Sequence, residues 1–162
     1  MTEIQTQKFY WLKYEVTAIQ ALINSFPDID RFVFCYFFPN STSHGKPLQL
    51  IAYGYTPPPV NAYTSYFDTL DVYDYSALEL SGPIIMSNNI ISKADILLLI
   101  NTPDSTSGDT PDYLLFIPNV TGGHVYYDIK RFKRTPTGDV QLGDVGGGGI
   151  NTDPSPPATI SN

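Results

Sequence analysis

Apolar positions recur at Phe9, Leu12, Val16, Ile19, Ile23 and Phe26, in steps of three or four. That spacing sets them on one face of an amphipathic helix, and Ala18, Ala21 and Leu22 widen the stripe. Pro27 ends the pattern, and Asp28 and Asp30 make the turn that follows. Residues 8–13 are aromatic enough to form a short strand instead, which leaves a helix over residues 15–25.

Two dense apolar and aromatic runs come next, residues 31–38 and 48–55. They are short, β-branched and aromatic, and the segment between them consists of Pro, Asn, Ser, Thr and Gly with His44 and Lys46. An antiparallel hairpin follows from that arrangement. Neither run alternates cleanly, so both of its faces are expected to be at least partly covered. Residues 56–59 make a stiff polyproline-like exit. The stretch 60–81 mixes helical spacing with Tyr and Thr, and irregular structure with one helical turn or short strand is expected there.

Ser92 with Asp95 three residues on resembles a capping box, and the apolar run 96–100 reads as either a buried strand or the end of a short helix. Residues 102–112 form a polar loop. Strands are expected at 113–117, closed by Pro118 with a turn over 119–123, and at 124–132, with a short edge strand at 140–142. From Gly143 the composition shifts to Gly and Pro without a core pattern. The expectation is therefore one α+β domain over residues 1–142, an N-terminal amphipathic helix packed on a mainly antiparallel sheet of about four to six strands. A flexible Gly/Pro-rich tail follows over 143–162.

Composition narrows the function classes. Only 15% of residues are charged, and the net charge is −7. A basic face for phosphate contact is missing, so nucleic-acid binding is not expected. Between residues 47 and 129 the acids are Asp68, Asp71, Asp74, Glu79, Asp95, Asp104, Asp109, Asp112 and Asp128, against Lys93 as the one Lys or Arg. Lys130, Arg131, Lys133 and Arg134 follow at once, able to pair with carboxylates of their own chain or of a second copy. The single cysteine, Cys35, allows neither an internal disulfide nor a cysteine-based zinc site. No apolar run approaches the length of a membrane span, and no signal sequence opens the chain. A soluble, cytoplasmic product is the default expectation, with signal-independent export or a virion or extracellular assembly left open.

Candidate chemistry is sparse. His124 and Asp128, with Tyr126 between them, share a face of an extended strand but stand four residues apart, over about 10 Å. No Gly-x-Ser-x-Gly elbow supplies a nucleophile. Asp68, Asp71 and Asp74 lack the alternation and central Gly of a calcium loop. No cofactor or metal is expected. Tyrosines are the more telling feature, because a tyrosine offers large contact area with few rotors. Tyr63, Tyr66, Tyr73 and Tyr75, with the basic residues 130–134, are the candidate partner-binding residues. The favoured expectation is a non-enzymatic binding or assembly protein with a protein partner, a second copy included. The alternative is a small hydrolase or transferase built on His124 and Asp128.

Overall fold

The computed structural model describes residues 6–37, 49–59, 62–67, 71–81, 88–147 and 149–155. Its elements in chain order are β1 (Thr6–Glu15), α1 (Val16–Ser25), β2 (Arg31–Phe37), β3 (Gln49–Thr56), β4 (Ala62–Phe67) and β5 (Asp71–Ser81). They continue with β6 (Asn88–Ser92), α2 (Lys93–Asn101), β7 (Tyr113–Thr121), β8 (His124–Thr135), β9 (Gly138–Gln141), β10 (Ile150–Asn151) and β11 (Asp153–Ser155). The fold is α+β, dominated by antiparallel sheet. The strands divide into a six-stranded sheet, ordered β10-β8-β7-β1-β5 with β9 also on β8, and a five-stranded sheet, ordered β11-β6-β2-β3-β4.

The first element explains a mixed signal. Residues 6–15 are a strand, and the helix begins at Val16. The ladder between β1 and β5 slips between Tyr10 and Trp11, where Tyr10 faces Ala77 and Trp11 faces Tyr73. β1 is continuous at that point, and the three residues the ladder skips, 74–76, lie on β5. Phe9, Leu12 and Tyr14 of β1 are all buried, at 1%, 2% and 1% exposure. A step of three inside a regular strand would have placed Phe9 and Leu12 on opposite faces. The stripe thus combines a strand with the true helical positions Val16, Ile19 and Leu22.

Each helix carries the chain from one sheet to the other. α1 leads from β1 to β2, and α2 leads from β6 to β7. Ser92 opens α2, its Oγ accepting from the Asp95 amide at 3.1 Å, so the apolar run after it is helical. Ile96, Leu99 and Ile100 join Val16, Ile19 and Leu22 in one core with both sheets. Across that core Phe34 of β2 lies 5.9 Å from the Tyr14 ring and 5.1 Å from Phe116 of β7. Burial pushes the Tyr14 phenol well above the ordinary tyrosine range.

The 31–38 and 48–55 runs pair antiparallel as β2 and β3, Arg31 opposite Tyr55 through Phe37 opposite Gln49. Their connecting loop lies outside the described residues. Phe32, Val33 and Phe34 are all buried, which covers both faces of β2. Four expectations are corrected. Within 60–81 the described residues are not irregular: 62–67 form β4 and 71–81 form β5, where Tyr and Thr follow their strand preference. Pro118 does not close β7, which runs to Thr121. β1 pairs with β7 only as far as Phe116, so Pro118 lies where β7 has one neighbour and a missing N–H is tolerated. The turn after β7 narrows to Gly122 and Gly123, both at positive φ (57° and 80°), as a two-residue hairpin of the primed type requires. Finally, paired structure continues past Gly143. Ile150–Asn151 pairs with β8 and Asp153–Ser155 with β6, so composition alone misplaces the start of the tail. Residues 156–162 lie outside the described residues.

Candidate interaction site

β10 and β11 are consecutive, yet they belong to different sheets. Thr152 stands between them as the crossing point, and it is 2% exposed. Its N–H donates to the Tyr127 carbonyl at 2.9 Å, and its Oγ1 accepts from the Tyr127 N–H at 2.9 Å. The Thr152 hydroxyl donates to Asn89 Oδ1 at 2.8 Å, while Asn89 Nδ2 donates to the Val125 carbonyl at 3.2 Å. Asn89 lies on β6 at 0% exposure, and Tyr127 and Val125 lie on β8. This buried network joins the two sheets along one side of the sandwich. Its members are mutually satisfied, which is what makes a buried polar cluster stabilising.

The opposite side is built differently. There the sheets end in β4 and β5, and among the described residues β4 pairs only with β3 and β5 only with β1. Tyr63 and Tyr66 are on β4, and Tyr73 and Tyr75 are on β5. All four candidate tyrosines therefore sit on the two terminal strands of this side, called open because β4 and β5 each have one ladder partner among the described residues, although α1 also contacts β4. A terminal strand offers a row of backbone donors and acceptors to any added strand. β5 is 11 residues long and contains neither Pro nor Lys, two residues that commonly blunt such edges.

The basic run is held within its own chain. Lys130 pairs with Asp144 at 3.1 Å, Lys133 with Asp112 at 3.5 Å, and Arg134 with Glu15. Arg131 corrects the expectation of a surface contact, since it is 2% exposed. Its Nη1 donates to the carbonyls of Leu99 (3.1 Å) and Thr102 (2.5 Å) at the end of α2. Its Nε and Nη2 donate to the Gly143 carbonyl at 3.1 and 2.9 Å. A cation there satisfies the last carbonyls of a helix and meets the negative end of its dipole. Next to it, Asp104 accepts from the amides of Gly143 (2.8 Å), Ser107 (2.9 Å) and Thr106 (3.2 Å) and from Ser107 Oγ (3.0 Å). The Gly143 amide, then the Ser107 bonds, pull its carboxyl down to about 2.

His124 and Asp128 do share the outward face of β8, whose alternate residues Val125, Tyr127, Ile129 and Arg131 point into the core. The structure does not bring them together. In the ladder His124 faces Thr121 and Asp128 faces Ile117, and the Asp128 carboxylate accepts from Asn119 Nδ2 at 3.2 Å. With its nitrogen turned toward the carboxylate, the Asn151 amide also donates to Asp128, at 2.7 Å. Tyr126 stands between them on the same face, opposite Asn119 in the ladder, and none of these contacts joins its hydroxyl to Asp128.

Further along the same sheet, Tyr113 stacks on Phe132 with ring centres 5.3 Å apart and 3° between planes. Lys13 and Arg134 each lie over the Tyr113 ring, at 4.9 and 4.8 Å, and its hydroxyl donates to Asp139 at 2.6 Å. This cluster, with Asn89 and Thr152, escaped the sequence reading. Its members come from β1, β7, β8 and β9, and no local spacing links them.

Among the described residues no three or more His, Cys, Asp or Glu are grouped to hold a metal ion, and no helix is long and apolar enough to cross a membrane. Comparison of the chain with protein-family models, with curated proteins and with solved structures finds no match.

Proposed function

We propose that this is a non-enzymatic binding or assembly protein whose open side receives an extended segment of another polypeptide. One observation carries the reading. The sandwich is tied shut along one side by the crossing at Thr152 and ends in two terminal strands on the other, with Tyr63, Tyr66, Tyr73 and Tyr75 on those strands. Strand addition to a sheet edge supplies affinity through main-chain hydrogen bonds, and alternate side chains supply selectivity. The basic residues 130–134 support the same assignment by default, because each is engaged within its own chain.

The test is to select peptides from a displayed library against the full chain and to map the footprint of the binders by amide hydrogen exchange. Slowed exchange in 62–67 or 71–81 is the expected result. A footprint confined to the outward face of β8 around His124 and Asp128, or no binder at all, would overturn the assignment. Light scattering after size exclusion then separates the partner types: mass that grows with concentration means a second copy fills the open side.

A further inference from the structure

The two terminal strands of the open side differ in charge. β4 reads Ala-Tyr-Thr-Ser-Tyr-Phe and is uncharged, whereas β5 carries Asp71, Asp74 and Glu79 and no base. On its inner side β5 already meets a strand that answers this charge. In the ladder with β1, Lys13 stands opposite Asp71 and Lys8 opposite Glu79, while Asp74 lies among the residues 74–76 that the ladder skips. Opposite charges at facing ladder positions stabilise a strand pair, and like charges there destabilise it. A strand added on the outer side of β5 faces the same positions.

We propose that β5 is the docking strand of the open side and that its occupant is an extended, basic segment of another protein, added antiparallel or parallel with Lys or Arg near the positions of Asp71, Asp74 and Glu79. This rests on the strand-addition reading above and adds the edge and the chemistry of the partner. A second copy pairing through its own β5 would bring three more acids and no base, which disfavours it as the occupant. The surrounding sequence agrees: residues 60–81 contain Asp68, Asp71, Asp74 and Glu79 with no Lys or Arg. A stretch of acids without a base also raises the encounter rate of a basic segment at low ionic strength.

The experiment uses the full chain and three synthetic peptides of about eight residues, the length of an ordinary strand. They alternate Val with Lys, with Thr or with Glu. Binding is followed by fluorescence anisotropy at low and moderate salt. The Lys peptide is expected to bind about tenfold tighter than the Thr peptide, with the gap closing as salt rises. Methylating alternate backbone nitrogens along one edge of the Lys peptide is expected to abolish binding. The chain with Asp71→Asn, Asp74→Asn and Glu79→Gln together is expected to lose the preference, with its melting curve as the control for folding. Equal binding of all three peptides would overturn the charge claim and leave strand addition standing. Binding indifferent to N-methylation would overturn strand addition, and failure of every peptide to bind would overturn both. Preference for Lys that survives the triple substitution would place the basic segment elsewhere than β5.

Discussion

Four buried or bridging residues, Asn89 with Thr152, Arg131 and Asp104, carry much of the architecture, and substitution of Asn89, Arg131 or Asp104 has a distinct expected outcome. Asn89 and Thr152 satisfy one another and the β8 backbone where the two sheets meet. Truncating Asn89→Ala leaves the Thr152 hydroxyl and the Val125 carbonyl without that partner inside the fold. The expected loss is about 2–3 kcal/mol, read from urea unfolding. An unchanged midpoint would mean that the crossing contributes nothing to stability. Arg131 reaches three carbonyls that no single point charge can span, so Arg131→Lys is not conservative here. It is expected to cost about 2 kcal/mol and to loosen the end of α2. Asp104 titrates in the acid range. Its folded carboxyl is held at about 2, below the 3.8 of the free side chain, by the Gly143 amide first and then by Ser107. A lowered folded value stabilises above the free value and is lost on the way down. Loop 102–112 is therefore expected to loosen between about pH 4 and pH 2. Asp104→Asn should remove that pH dependence from the exchange rates of the loop amides.

At the level of elements, the strand hairpin, the loop 102–112 and the strands around 113 and 124 follow from local composition, and the structure contains them. What composition could not supply is the tertiary context that decided the rest. Phe9 and Leu12 belong to a strand and are both buried, although their spacing of three reads as helical. Residues 150–155 look like linker, yet they gain order from pairing with β8 and β6, strands that begin 26 and 62 positions earlier. The same holds for the candidate site. The four tyrosines were visible as a cluster, but that they fall on terminal strands depends on strand order, which no local pattern encodes. The basic run was visible too, and its partners Glu15, Asp112 and Asp144 were not, since pairing across sheet and loop is set by the fold. Truncating the chain after Gly149 tests the element account. It removes β10, β11 and Thr152 together and should lower stability by at least as much as Asn89→Ala, about 2–3 kcal/mol or more. A truncated chain that melts with the full one would return residues 150–155 to the status of a tail.

As a whole molecule, the sandwich has a closed side and an open side. The closed side is held by hydrogen bonds between sheets, and the open side keeps strand edges with four acids nearby in sequence and no base. Such an edge is a liability unless it is guarded or used, and charge on β5 opposes indiscriminate pairing while leaving it available to a complementary strand. Residue-resolved amide hydrogen exchange of the isolated protein tests this division most directly. The account predicts that the amides of Tyr127 and Thr152 are among the slowest. It predicts that protection in β5 alternates, slow where an N–H faces β1 and fast where it faces outward. Uniform slow exchange along β5 would contradict the account, because the edge would then already be covered.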